Sequence, residues 1–102
     1  MENSDAANSM RYNRDDLVDR KFNAIADDTR RKIIALLSDR PMNAGEIANH
    51  FTISHASISY HLRKLEQSNL ILSVQLGKCR QYSLNREAFE EIYLWLANLI
   101  SP

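Results

Sequence analysis

The chain contains one cysteine, Cys79, among its 102 residues. A lone thiol excludes an intrachain disulfide and any cysteine-based metal cage within one chain. It also fits a reducing compartment better than a secreted setting. No uninterrupted apolar stretch reaches the length of about 18 residues needed to span a bilayer. The opening MENSDAANSM lacks the apolar run of a signal peptide, so a cytoplasmic protein without membrane insertion is expected. Excess charge is missing too: 13 Lys plus Arg balance 13 Asp plus Glu. That balance argues against an indiscriminate polyanion binder but leaves local distribution open. Internal repeats and low-complexity blocks are absent. The length allows one domain with a modest core, which gains from being shared with a second copy.

What charge there is sits unevenly. From Thr29 to Arg86, the basic residues Arg30, Arg31, Lys32, Arg40, Arg63, Lys64, Lys78, Arg80 and Arg86 are opposed only by Asp39, Glu46 and Glu66. Residues 1–28 lean acidic, as does the stretch with Glu87, Glu90 and Glu91. A basic body between acidic ends is a first pointer to a polyanionic partner.

Residues 1–12 are polar and aperiodic and read as a flexible tail, leaving 13–102 as a single domain. An apolar stripe of Leu17, Val18, Phe22, Ile25 and Ala26 marks a first helix. Asp27 can cap a second, DTRRKIIALLSD, which buries Ile33, Ile34, Leu36 and Leu37 and stops before Pro41. Asn43 and Glu46 have capping-box spacing and open a short helix to about His50 or Phe51. A tight Thr52-Ile53-Ser54 turn follows, with Ser54 capping the next helix. Ile58, Leu62 and Leu65 place one face of that helix in the core, and Asn69 suits a left-handed end.

The period then changes. Leu70, Leu72, Val74 and Leu76, then Gly77-Lys78, then Tyr82 and Leu84 indicate a two-stranded hairpin with its tip at Gly77. Residues 85–100 are helical again, with Phe89, Ile92, Trp95, Leu96, Leu99 and Ile100 along one side. Tyr93 and Leu94 widen the apolar surface beyond what a small monomer needs. The expected fold is mainly α with a two-stranded β-hairpin wing: a winged helix-turn-helix with additional N- and C-terminal helices for dimerisation.

The face opposite Ile58, Leu62 and Leu65 carries His55, Ala56, Ser59, Tyr60 and Arg63, with Ser57 and Lys64 at its margins. A helix with such a face, set after a short turn, can enter a DNA major groove. Its start at Ser54 offers backbone amides to a phosphate. Lys78 and Arg80 at the hairpin tip suit phosphate contact or reach into the minor groove, and no carboxylate intervenes between Glu66 and Glu87. We expect His55, Ser57, Ser59 and Tyr60 to meet bases and Arg31, Arg63, Lys64, Lys78 and Arg80 to meet mostly phosphate. His61 is included in the same surface.

Plainer readings stay open at several positions. His61 borders the apolar stripe and is equally a hydrogen-bonded core histidine. Ser57 and Ser59 are common near helix starts, Tyr60 can cover a core edge, and Arg63, Lys64 and the hairpin tip can simply be solvated. Arg31 either touches phosphate or, like Arg30, pairs with Asp27 or Asp28. An enzyme reading fails, because Ser57 or Ser59 with His61 has no orienting carboxylate and no oxyanion hole. His50, His55 and His61 span two elements without a His-x-x-x-His pair. No catalytic, metal or cofactor residue is expected.

From about Phe22 onward the chain resembles the ArsR family of small dimeric winged-helix repressors. The stretches that carry the likeness are FNAIADDTRRKIIALL, MNAGEIANHFTISHASISYHLRKLEQSNLI and LGKCRQYSLN. The second contains the family's Ser-x-His-Leu at Ser59 and His61, and the third looks like its wing. The resemblance implies dimerisation through the first and last helices, here through Leu17, Val18, Phe22, Phe89, Ile92, Trp95, Leu96, Leu99 and Ile100. It also implies repression until a metal or another signal releases the DNA. Metal-sensing relatives carry Cys-x-Cys on the third helix, whereas Ala44-Gly45-Glu46-Ile47-Ala48 has no cysteine, and the last helix lacks the Asp and His of zinc sensors. Asp28 replaces a usual proline. The chain thus looks closer to sensorless autorepressors, some of them relieved by an anti-repressor protein.

The expected function is sequence-specific binding of double-stranded DNA by a homodimeric repressor on a palindromic operator. Two alternatives accompany it: a winged-helix protein-interaction module, and a DNA-binding repressor that senses a small ligand at the dimer interface.

Overall fold

The computed structural model describes residues 18–102; the proposed tail and Leu17 lie outside them. Helix α1 occupies residues 18–25 of the described chain, followed by α2 (Asp28–Asp39), β1 (Met42–Asn43), α3 (Ala44–Ala48), α4 (His55–Gln67), β2 (Ile71–Leu76), β3 (Cys79–Leu84) and α5 (Arg86–Ile100). This is the expected mainly α fold with a hairpin wing and a flanking helix at each end.

Local chemistry sets most of the boundaries. Asp27 accepts the Arg30 amide at 3.0 Å and starts α2, and α2 ends ahead of Pro41, whose ring disfavours helix in the residue before it. The capping box is complete: Glu46 N donates to Asn43 Oδ1 at 2.8 Å and Asn43 N to Glu46 Oε1 at 2.9 Å. The Asn43 amide, then the Arg40 guanidinium, hold the Glu46 carboxyl below its usual range. Ser54 starts α4 by accepting the Ser57 amide at 3.1 Å. Asn69 (φ 64°) turns the chain out of α4 in the left-handed region that asparagine tolerates. Gly77 (φ 63°) stands first in the two-residue wing turn, where a type II′ hairpin takes glycine.

The core unites all these elements. Ile33 and Leu37 of α2, Ile47 of α3, and Ile58, Leu62 and Leu65 of α4 are fully buried, together with Leu70 and Ile71. Truncating one such residue to alanine costs about 2–5 kcal/mol. Three details differ from the sequence reading. In α1 the buried residue is Ala24, while Phe22 and Ile25 are half-buried and Ala26 is exposed; a methyl group lets α1 approach the core closely. Helix α3 stops at Ala48, short of His50, because the chain turns there. Finally, the sheet has three strands in the order β1-β3-β2, with Met42 opposite Tyr82 and Asn43 opposite Gln81. A two-residue strand is too short to show a period of two in sequence.

The wing's register fixes which side chains face inward. Ile71 lies opposite Leu84 and Ser73 opposite Tyr82 on the inner face. Leu72, Val74 and Leu76 alternate to the outer face and are about half exposed.

Candidate nucleic-acid interface

Helix α4 is held on two sides, and both grips use polar groups. Toward α1 and α2, His61 turns inward with 14% of its side chain exposed. Its Nδ1 lies 3.3 Å from Arg30 Nη1 and 3.8 Å from Asp27 Oδ2. In the neutral ring Nδ1 accepts from the guanidinium, which places the ring proton on Nε2. Arg30 also donates through Nε to Ala24 O at 2.7 Å and through Nη2 to Asn23 O at 3.2 Å. One guanidinium thus ties the end of α1, the start of α2 and the middle of α4. The Arg30 amide, with help from the charge of the Arg30 guanidinium, keeps the Asp27 carboxyl below its usual range.

Toward the wing, the Ser73 hydroxyl donates to Glu66 Oε2 at 2.6 Å and accepts from Arg80 Nη1 at 2.8 Å. The chain α4–β2–β3 fixes the wing's angle to the helix and holds Arg80 in place. Tyr82 is partly buried beside this chain; burial first, and Glu66 second, push its phenol up.

The remaining polar groups of α4 are unspent. Among the described residues no hydrogen bond or ion pair involves the side chains of His55, Ser59 or Arg63. Tyr60 is 47% exposed; its ring meets His61 edge-on at 5.4 Å and carries Lys64 Nζ at 5.7 Å from its centre. These side chains and Ala56 lie opposite Ile58, Leu62 and Leu65, on the solvent side. Lys78 is exposed at the wing tip.

Other predicted residues are placed differently. Ser54 Oγ donates to Ser57 Oγ at 3.0 Å, so these two hydroxyls serve the helix start. Arg31 donates to Ile25 O at 2.9 Å and approaches Asp28 at 3.7 Å, the pairing that was one of its two options; Lys32 pairs with the same carboxylate at 3.1 Å. The sequence reading missed Ser73 and Glu66. Their signal in sequence is weak: Glu66 reads as opposing charge, and Ser73 falls between the apolar Leu72 and Val74.

The second predicted surface lies on the terminal helices. Phe22 of α1 meets Trp95 of α5 edge-on at 5.4 Å. Phe89 and Ile92 pack on the core, whereas Leu96, Leu99 and Ile100 stand exposed beside Tyr93 and Leu94. A groove of about 480 Å³ runs between α1 and α5, lined by Val18, Phe22, Ile92, Leu94 and Trp95 with Lys21, Glu91 and Asn98.

Known proteins resemble this chain in sequence and in fold. The transcriptional repressor SdpR of Bacillus subtilis is 45% identical over 80 residues, which cover 78% of this chain and 89% of that protein. The sequence profile of bacterial regulatory proteins of the arsR family matches residues 27–73. The chain belongs to the arsR family. An HTH-type transcriptional regulator of Mycobacterium tuberculosis is 36% identical over 67 residues, covering 66% of this chain and 63% of that protein. The crystal structure of an ArsR family transcriptional regulator superposes with a TM-score of 0.76 at 31% identity, over 82% of this chain and 87% of that one. As an arsR-family member the protein is a sequence-specific DNA-binding regulator that acts as a homodimer, and it is not an enzyme. No described helix is long and apolar enough to cross a membrane.

Proposed function

We propose that this arsR-family regulator represses transcription by seating α4 of each protomer in adjacent major grooves of a palindromic operator. The observation that carries the reading is the outer face of α4, where His55, Ser59, Tyr60 and Arg63 keep unspent hydrogen-bonding groups while the helix itself is braced on both flanks. His55, Ser59 and Tyr60 read bases, with Ala56 and Ser57 packed close at the helix start. Arg63, Lys64, Lys78 and Arg80, together with the amides beyond Ser54, hold phosphate. His61 and Arg31 act mainly by positioning α4 and the α1–α2 corner. The dimer forms through Val18, Phe22, Trp95, Leu96, Leu99 and Ile100, with Phe89 and Ile92 behind them. Burial of such surface contributes about 25 cal/mol per Å².

We place the protein among autorepressors without a metal sensor of their own, since α3 carries no cysteine and Cys79 is the chain's single thiol. Relief then falls to an anti-repressor protein that competes for the α4–wing surface. Selection of duplexes from a random pool tests the function. Enrichment of one palindrome at moderate salt supports it, and an unenriched pool contradicts it in favour of a protein-docking role.

A further inference from the structure

Beside the outer face of α4 lies a second concave surface, which shares Tyr60 and Lys64 with it. A cleft of about 230 Å³ opens where the end of α1 and the start of α2 meet the C-terminal half of α4. Arg20, Arg30 and Lys64 line it, with Asn23, Gln67 and Tyr60 between them. Among the described residues that line it there is no carboxylate.

Asp27, whose carboxylate feels the Arg30 charge, is not among the residues that line the cleft. Neither the Arg30 guanidinium nor Lys64 Nζ takes part in any ion pair among the described residues. Arg30 is held in one orientation by Ala24 O, Asn23 O and His61 Nδ1. Those contacts use one N–H on each guanidinium nitrogen, which leaves the second N–H on Nη1 and on Nη2. A planar donor fork fixed in advance, with an ammonium across a small cleft, matches a tetrahedral oxyanion. The carboxamides of Asn23 and Gln67 can donate to its remaining oxygens. The volume falls below the roughly 300–1,000 Å³ of typical small-molecule pockets, so the occupant is small.

We propose that this cleft is a binding site for one phosphate group, held by Arg30 and Lys64 and flanked by Gln67 and Asn23. Two sources can supply the group: a small free phosphate monoester, or the DNA backbone. A free ester would engage Lys64 and Tyr60, both on the margin of the reading face, and so compete with their duplex contacts. The site goes beyond the operator reading and stands without it, because its first test contains no DNA.

That test titrates the full chain with inorganic phosphate against sodium chloride at matched ionic strength, following the side-chain amide resonances of Asn23 and Gln67. Saturable shifts with phosphate alone are expected. Gln67→Glu, at an exposed position, should weaken binding about tenfold or more by placing a like charge in the cleft, and Gln67→Lys should tighten it. Shifts that chloride reproduces, or that neither variant alters, overturn the proposal. A second arm assigns the source. If Gln67→Glu weakens binding to all duplexes alike and phosphate competes with DNA, the backbone fills the cleft. If non-specific duplex binding is unchanged while phosphate binding is lost, the site belongs to a free ester.

Discussion

Ser73 of the wing donates its hydroxyl proton to Glu66 of α4 across 2.6 Å. The same oxygen receives Arg80 at 2.8 Å, so one hydroxyl fixes a cation and joins the two elements proposed to face DNA.

Ser73→Ala removes both bonds and leaves the half-buried Glu66 carboxylate without that donor. The expected loss is about 1–2 kcal/mol of stability, measured as a lower urea midpoint. Operator affinity should fall as well, because Arg80 is released from its fixed position. Unchanged stability and affinity would show the chain to be incidental.

Wing and helix should fail in different ways. Lys78→Ala should weaken binding to every duplex similarly and reduce the slope of log affinity against log salt by about 1. Ser59→Ala should instead erode the preference for operator over random DNA by about 1–3 kcal/mol. Fluorescence anisotropy at several salt concentrations separates the two. Equal effects of both variants on all duplexes would show the division between base and phosphate contacts to be wrong.

Asp27 links stability to pH. Its folded pKa lies below the usual 3.8, chiefly through the Arg30 amide. A depressed carboxylate contributes stability that is complete above the unfolded value and is lost as pH falls through the folded one. Asp27→Ala should therefore cost about 1 kcal/mol near pH 7, as loss of a helix cap does. The gap to the parent protein should narrow below about pH 4. Urea midpoints at pH 7 and pH 3 check this, and a gap equal at both would rule out the carboxylate's charge as the cause.

Leu99 is 65% exposed on α5, so its replacement spares the protomer's core. Leu99→Asp should weaken the dimer roughly thirtyfold or more, about 2 kcal/mol, while thermal unfolding of the isolated protomer stays close to the parent's. Sedimentation across a dilution series reads the change. A dimer that tolerates the charge would move the interface elsewhere.

How much was legible in the sequence depended on whether the signal was local. Caps at Asp27, Asn43 and Ser54 and the reversals at Asn69 and Gly77 were readable because each needs only a few neighbouring residues. The apolar spacing of Ile58, Leu62 and Leu65 also marked the face of α4 that is buried. Long-range partners were not readable. Arg30 meets His61 across 31 positions, and β1 pairs with β3 through two residues that carry no period of their own. The inward turn of His61 illustrates the limit: helical spacing puts it beside the apolar stripe, but only the placement of Arg30 and Asp27 decides that it braces the helix. Likewise the alternation in β2 was visible, while its register, which sends Leu72, Val74 and Leu76 outward, depended on the packing of Ile71.

A hydroxyl-radical footprint on the selected duplex bears most directly on the central claim, since it reports groove, symmetry and spacing together. Two protected half-sites related by a dyad, with centres about 34 Å or one helical turn apart, and both lost in Leu99→Asp, are the predicted result. A single unsymmetrical patch that persists in that variant would contradict paired recognition helices acting from one dimer.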